Sequence, residues 1–313
     1  MQVLTSLSDA ARSGFLAGGA VAIGNFDGVH LGHQALVARA LELARARGAR
    51  AGVLTFEPHP VRALRPQLAP PLITPLARKL ELLAACGLDA TVVQPFDLGY
   101  AATTAAGFVE RDLEGALGVR DVVVGWDFTA GHERARVEAL RPLLAAAGLA
   151  LHVVEPVTEG GLTVSSTKIR EFLLEGKVEA AALLLTRPYD LDGRVVPGAG
   201  RGRGLGFATA NLATEALLPQ RGVYAVRARL GAGAGWGPGV CNVGVKPTVE
   251  DSGRVTAEVH LLEHDGGALY GAVLRVAFVA RLRDERRFPS LDALRAQIAD
   301  DAERARGLLA AGG

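Results

Sequence analysis

The stretch Gly24-Asn25-Phe26-Asp27-Gly28-Val29-His30-Leu31-Gly32-His33 decides the fold of the first half of the chain. It follows the apolar run Ala20 to Gly24 and precedes the helical pattern Gln34 to Arg47, so it joins a strand to a helix. In open α/β sheets, ligands bind at the carboxyl ends of the strands. The N–H groups of a helix N-terminus and two imidazoles suit an anionic phosphate. Partly exposed loop histidines and a metal pair are the alternatives, although an HxxH pair with no third ligand nearby disfavours a metal.

Short apolar runs alternate with helical patterns around this stretch, which is typical of βαβ units and a parallel sheet. We predict strands at Ala20–Gly24, Gly52–Phe56, Ala90–Pro95, Asp121–Gly125 and Leu149–Val154. We predict helices at Gln34–Arg47, Pro75–Cys86, Thr104–Leu117 and Glu133–Ala147. Thr74 is the expected N-cap of the helix that begins at Pro75.

The pattern changes near Pro188, after two more predicted helices at Thr167–Leu174 and Val178–Leu185. We therefore predict two domains, residues 1–186 and 187–313. Val-rich segments separated by turn residues predict an antiparallel barrel or sandwich in the second domain. These segments are Leu191–Val196, Val223–Leu230, Val240–Val245, Arg254–Leu262 and Ala272–Leu282, and a final helix is predicted at Leu291–Leu309.

Composition excludes several classes of protein. With 313 residues, of which 49% are apolar, the chain can bury one or two full cores, so it is not disordered. The 34 basic and 33 acidic residues nearly cancel, which argues against nucleic acid as a partner. The two cysteines form no CxxC motif, so neither a disulfide scaffold nor a zinc site is indicated. We find no signal-peptide pattern and no apolar run long enough to span a membrane, and we expect a cytoplasmic protein.

A second motif, Val164 to Arg170 (VSSTKIR), follows the fifth predicted strand. Its three hydroxyls at a helix start are explained equally well as N-caps. With Lys168 and Arg170 close behind, the same segment offers hydroxyl, backbone and cationic donors to a polyphosphate.

Together these motifs resemble a known family. HxGH after the first strand with SSTxxR after the fifth resembles the nucleotidyltransferase superfamily. GNFDGVHLGH with TFEPHP (Thr55 to Pro60) and VSSTKIR is similar to the bifunctional prokaryotic riboflavin kinase/FMN adenylyltransferases, and the similarity runs from about Val21 to Ala305. It implies an α/β plus β protein: an N-terminal Rossmann-like nucleotidyltransferase domain with a parallel sheet, then an antiparallel β-barrel riboflavin kinase domain with a terminal helix.

The second half carries further matches. Gly200 to Leu212 (GRGRGLGFATANL) looks like the family's Gly-rich loop and GFPTAN motif. Glycines let backbone amides approach phosphates, and Thr209 and Asn211 carry the hard oxygen ligands that Mg²⁺ prefers. A Gly-rich hairpin with a polar turn is the alternative from this segment alone. By the resemblance Glu258, in AEVHLL, is the general base for riboflavin; otherwise it is a solvated strand residue.

The resemblance implies two reactions: riboflavin is phosphorylated to FMN with ATP and Mg²⁺, and FMN is adenylylated to FAD with release of pyrophosphate. The implied catalytic residues are Glu258, His30, His33 and Arg170. The implied ATP-binding residues are Gly24, Phe26, Asp27, Ser165, Ser166, Thr167, Lys168, Gly200, Gly202, Gly204 and Gly206. Phe56, Phe108 and Asp127 are implied for flavin, and Thr209 and Asn211 for the metal. We expect riboflavin, FMN, FAD and ATP as ligands, no membrane partner, and a monomer or weak homo-oligomer.

The sequence departs from the family pattern at three places. GxDFRFG reads here Gly125 to Gly131 with Thr129 and Ala130, so the second Phe, which usually packs near the flavin, is missing. Arg136 and Val137 replace a common Gly-Asp, and Ala208 replaces the Pro of GFPTAN. A riboflavin kinase with a weakened adenylyltransferase site is therefore an alternative. A non-catalytic flavin- or nucleotide-binding regulator is a further one, although the chemical groups are all present.

Overall fold

The computed structural model of the protein describes residues 1–197, 208–231, 234–245, 255–263 and 269–311. They form two compact units that divide between Ser165 and Ser166. The two helices that precede Pro188 thus group with the second unit. Our boundary at 186/187 concerns where the two activities divide, and it stays a prediction.

The first unit alternates strands and helices. In chain order its elements are β1 (Gln2–Leu4), α1 (Leu7–Ser13), β2 (Ala20–Ile23), α2 (Leu31–Ala46), β3 (Ala51–Glu57), α3 (Pro60–Leu64), a 3₁₀ turn (Pro66–Leu68), α4 (Leu76–Ala85), β4 (Ala90–Pro95), α5 (Leu98–Ala101), α6 (Ala105–Gly107) continued by a π-helix (Phe108–Leu117), β5 (Asp121–Gly125), the short strands β6 (Thr129–Ala130) and β7 (Ala135–Arg136), α7 (Val137–Ala146), β8 (Ala150–Val154), β9 (Thr158–Glu159) and β10 (Leu162–Thr163).

Six strands form one parallel sheet in the order β1-β4-β3-β2-β5-β8, which confirms the predicted parallel sheet. Strand β2 is buried on both faces: Val21 and Ile23 enter one hydrophobic cluster, and Ala20 and Ala22 enter the other. The chain order reverses on the two sides of β2. The crevice at its carboxyl end is therefore the expected ligand site of such a sheet.

Several local predictions failed in this unit. Strand β1 and helix α1 were not predicted. Helix α7 begins at Val137 rather than Glu133, because Ala135–Arg136 pairs with Thr129–Ala130 in a short hairpin. The segment predicted as one helix at 104–117 is a short α-helical turn followed by a π-helix.

The second unit begins with two helices and continues as a barrel. Its elements are α8 (Ser166–Leu174), α9 (Val178–Leu185), β11 (Tyr189–Val196), β12 (Ala208–Ala213), β13 (Gly222–Leu230), β14 (Gly237–Val245), β15 (Val255–Leu261), β16 (Val273–Arg283) and α10 (Leu291–Ala311). The strands close in the order β11-β12-β15-β14-β13-β16, and all pairs are antiparallel, which confirms the predicted barrel. Strand β12 was not predicted.

The barrel has an aromatic interior and an outer apolar patch under α10. Inside, the Phe278 ring stacks on Tyr189 and meets Tyr224 edge-on, and all three side chains are fully buried. Outside, Ala305 and Leu309 of α10 join an apolar cluster of barrel residues. Across the described residues, no helix has the length and apolar character to cross a membrane.

Two candidate active sites

The histidine turn lies between β2 and α2, at the carboxyl edge of the sheet. His30 is the N-cap of α2, and its Nδ1 accepts the backbone N–H of His33 at 3.3 Å. The two imidazoles stack with centroids 3.6 Å apart, and the fully buried Phe26 ring lies 5.1 Å from His33. The structure thus brings His30 and His33 together at a helix N-terminus, where an anion is stabilised.

The segment before α4 holds this turn in place. The buried Asp27 carboxylate accepts the backbone N–H groups of Ile73 at 3.1 Å and Thr74 at 2.8 Å. In return, the Thr74 hydroxyl oxygen accepts the N–H of Gly28 at 2.8 Å. The expectation that Thr74 caps α4 was wrong: Pro75 occupies the N-cap, and the hydroxyl is drawn to the turn instead.

The surroundings of His33 disfavour its protonated form. Burial, together with the neighbouring charges of His30 and Lys79, holds the pKa of His33 well below its usual value. Within the described residues, the buried Nδ1 of His33 has no hydrogen-bond partner. An orphaned polar atom next to a helix N-terminus fits a site completed by a ligand.

The VSSTKIR motif divides between the two units. The Val164 carbonyl oxygen lies 3.8 Å from where a Cβ on Gly32 would stand, so the chain entering the motif runs beside the histidine turn. Ser165 ends the first unit, half-buried. Ser166, Thr167, Lys168 and Arg170 belong to α8 of the second unit, where Lys168 pairs with Glu171. The approach of these four residues to the histidine turn stays a prediction.

Aromatic rings cluster at the ends of β3 and β4. Phe56 lies 5.7 Å from Phe96 and 6.0 Å from Tyr100, between ring centroids. The Tyr100 hydroxyl donates to Asp112 at 2.8 Å, and burial and this carboxylate raise the pKa of Tyr100. Sequence reasoning identified Phe56 and missed the other two rings.

The remaining predicted ligand residues of the first unit differ in exposure. Phe108 is buried in the core, whereas Asp127 is exposed just after β5. Gly24 leaves room for Phe26, because a Cβ there would stand 3.3 Å from the ring. Phe26 and Asp27 are both enclosed by the protein, with exposed fractions of 0% and 2%.

A polar row crosses three strands of the barrel. Glu258 of β15 is in register with Asn211 of β12 on one side and with Asn242 of β14 on the other. Thr209 lies two residues before Asn211, and His260 lies two residues after Glu258. The two pair with each other on the same face of the barrel. The alternate residues Ala210, Cys241 and Val259 fill the interior, so the polar row occupies the outer face.

Thr209 is oriented by His260. Its Oγ1 lies 2.9 Å from His260 Nδ1, and burial lowers the pKa of His260 despite the nearby Glu258 and Asp301 carboxylates. In the tautomer protonated at Nε2, Nδ1 accepts the hydroxyl proton of Thr209 and so fixes the orientation of this hydroxyl. With the Asn211 amide on the same face, this donor set fits Mg²⁺, which prefers oxygen ligands and substrate phosphates. The Gly200, Gly202, Gly204 and Gly206 positions lie outside the described residues.

Comparisons with known proteins cover both units. A family model for FAD synthetase matches residues 14–168, and one for riboflavin kinase matches residues 185–309. The bifunctional riboflavin kinase/FMN adenylyltransferase of Escherichia coli strain K12 is 40% identical over 306 residues, which covers 96% of this chain and 95% of the relative. That of Bacillus subtilis is 36% identical over 292 residues, covering 91% and 90%.

The chain belongs to the bifunctional riboflavin kinase/FMN adenylyltransferase family. Both domains that define the family are present, so the chain is a transferase that uses ATP as a co-substrate. A solved structure described as a macrolide-efflux protein from Streptococcus pneumoniae has the same fold, with a TM-score of 0.86, 29% identity and coverage of 98% of this chain and 99% of that one.

Within the riboflavin kinase/FMN adenylyltransferase fold, sequence reasoning missed several residues of the two sites. Asn242 was missed because its place beside Glu258 depends on strand pairing between distant segments. His260 was missed, and Thr74 was identified only as a helix cap, because their hydrogen bonds join residues 51 and 46 positions apart, respectively. Lys79 gave a weak signal, since it is one of the chain's few lysines.

Proposed function

We propose that the protein makes FAD in two steps: the barrel unit phosphorylates riboflavin, and the unit with the parallel sheet adenylylates the FMN produced. The observation that carries this proposal is that each unit holds its own constellation. One is the stacked histidine pair at the N-terminus of α2, and the other is the Asn211–Glu258–Asn242 row.

In the kinase step, Glu258 takes the proton from the ribityl hydroxyl as its oxygen attacks the γ-phosphorus of ATP. The bond from that phosphorus to the bridging oxygen breaks, and ADP leaves. Positioning and electrostatic stabilisation supply most of such a rate enhancement. Thr209 and Asn211 are the residues that would hold Mg²⁺, which neutralises phosphate charge when bound. The Gly200 to Gly206 loop is assigned to the phosphates by resemblance.

In the adenylyl transfer, a phosphate oxygen of FMN attacks the α-phosphorus of ATP and pyrophosphate leaves. The phosphate is already ionised at neutral pH, so this step needs no general base. His30 and His33 are assigned to donate hydrogen bonds as charge develops on the α-phosphate oxygens. Ser165, Ser166, Thr167, Lys168 and Arg170 are assigned to the β- and γ-phosphates, and the ring cluster around Phe56 to the flavin, with Phe108 and Asp127.

The test is the product profile. Purified protein is incubated with riboflavin and MgATP and, separately, with FMN and MgATP, and the flavins are resolved by chromatography. We expect FMN and then FAD in the first reaction and FAD in the second. Absence of both products would refute the proposal.

A second candidate is a riboflavin kinase whose adenylyltransferase site has weakened, and Ala130 in place of the family's Phe favours it. Abundant FMN with no FAD, even at saturating FMN, would support this candidate.

We further expect a cytoplasmic protein that is a monomer or weak homo-oligomer. Light scattering of the purified protein at several concentrations can check the oligomeric state.

A further inference from the structure

Lys79 is a buried lysine that has no assigned role in either reaction. It lies in α4, its exposed fraction is 4%, and it shares the inward face of the helix with Leu83. Lysines are almost never fully buried without a compensating partner, because the ammonium group loses its hydration. An apolar side chain of the same length would fill this space without that loss. The position therefore needs a reason beyond packing.

The ammonium group reaches the base of the histidine turn. Lys79 Nζ donates to the Asn25 carbonyl oxygen at 3.1 Å, and the Thr55 hydroxyl donates to the same oxygen at 3.3 Å. Asn25 immediately precedes Phe26, whose φ is +50°, and Val29 in the same turn has a φ of +43°. Non-glycine residues adopt such values only when their surroundings enforce them. Lys79 is one of the groups that enforce this turn.

Fixing one carbonyl also fixes the next N–H. The peptide unit is planar, so the Asn25 carbonyl and the Phe26 N–H point in opposite directions. With the carbonyl held toward α4, the Phe26 N–H is directed away from Lys79.

Charge reinforces the hydrogen bond. Burial lowers the pKa of Lys79, while the Glu57 and Asp27 carboxylates oppose that change. The Lys79 charge is also felt at His33, whose pKa it helps to lower. A cation held beside the histidine turn raises the local potential for a polyphosphate.

We propose that Lys79 is a positioning residue of the adenylyl-transfer site. Its ammonium group holds the Asn25 carbonyl, and this contact keeps the strained turn and the histidine pair in the geometry that receives the α-phosphate of ATP. This inference rests on the proposed function, since it assigns the turn to FMN adenylylation. It predicts that the ammonium group acts on one activity of the protein and not on the other.

The test compares Lys79→Met, which keeps the side-chain length without the charge, with the wild type. The matched control is Lys177→Met, because Lys177 is exposed and pairs only with a surface carboxylate among the contacts described. For Lys79→Met we expect kcat/KM for FMN to FAD conversion to fall about 100-fold, more in kcat than in the KM for ATP. Riboflavin phosphorylation by the same preparation should stay within twofold, and Tm should not fall.

Chemical rescue separates the ammonium group from packing. In Lys79→Ala, propylammonium matches the atoms removed, and it should restore FAD formation at least tenfold relative to the same concentration of sodium chloride. Unchanged FAD formation in Lys79→Met would overturn the proposal, as would equal loss of both activities or loss without rescue. If the wild type makes no FAD, the proposed function itself fails, and that outcome is distinct from all of these.

Discussion

Replacing Glu258 with Gln should slow riboflavin phosphorylation strongly and leave the conversion of FMN to FAD intact. Glu258 is half-buried and lies in register between two uncharged neighbours, Asn211 and Asn242. A Gln amide keeps the length of the side chain and meets amide groups on both sides. We therefore expect the free energy of unfolding to change by about 0.5 kcal/mol or less, as for other substitutions outside the core.

The loss of activity then measures the chemistry alone. A positioned general base contributes about 10²- to 10⁴-fold to a rate, which corresponds to about 3–5 kcal/mol of activation free energy. The expected decrease in kcat for riboflavin phosphorylation lies in that range, with little change in the KM for riboflavin.

The assay measures both reactions in one preparation, with wild type, Glu258→Gln and the matched control Glu263→Gln. Glu263 is exposed and follows the same strand, so its replacement removes the same charge nearby. Glu258→Gln that phosphorylates riboflavin within tenfold of wild type would refute the role of the carboxylate. Equal loss of FAD formation would refute the independence of the two sites.

Three further predictions address the other features. His30→Ala removes a donor at the helix N-terminus and should lower FAD formation from FMN about 10²- to 10³-fold while sparing riboflavin phosphorylation, as flavin chromatography of both reactions will show. His260→Leu removes the partner of Thr209 and should raise the Mg²⁺ concentration needed for half-maximal phosphorylation about 10- to 100-fold. His260→Asn can keep an acceptor there and should raise this concentration less. Equal effects of the two substitutions would contradict this orientation of Thr209. Asp121 is buried, which acts to raise its pKa, but hydrogen bonds from Arg47 and His152 outweigh burial and lower it. The stability that Asp121 contributes is present above its ordinary pKa of 3.8 and is lost as the pH falls through its lower pKa in the folded protein. In urea unfolding, Asp121→Asn should destabilise the protein at neutral pH and progressively less below that value, and a pH-independent difference would count against the assignment.

The parallel sheet could be predicted because its strands are short, continuous apolar runs bounded by turn residues. Strand β12 could not, because its sequence ATANLA has little β-propensity, and it is a strand through pairing with β11 and β15. The barrel order is likewise set by pairings between segments far apart in the chain. Local pattern thus identifies most strands, whereas their neighbours and register require the whole fold.

The candidate sites divide in the same way. His30 and His33 follow directly from their place between a strand and a helix. Lys79 does not, since nothing in the sequence around α4 marks its side chain as facing a turn more than fifty residues earlier. Residues that act by contacting backbone leave no motif of their own.

Ala130 bears on whether the second activity is retained. It is 6% exposed and lies in the core cluster against which Phe56 and Tyr100 also pack, so the site keeps aromatic surface without a ring at position 130. Trp126, 55% exposed after β5, offers another ring at the same sheet edge. Loss of one ring contact costs about 1–3 kcal/mol, or about 5- to 150-fold in FMN affinity. We expect a deficit of that size to raise the KM for FMN and to leave kcat unchanged, because the histidine turn that we assign to ATP does not include Ala130. Ala130 in place of the family's Phe therefore predicts weaker binding of FMN rather than loss of FAD synthesis.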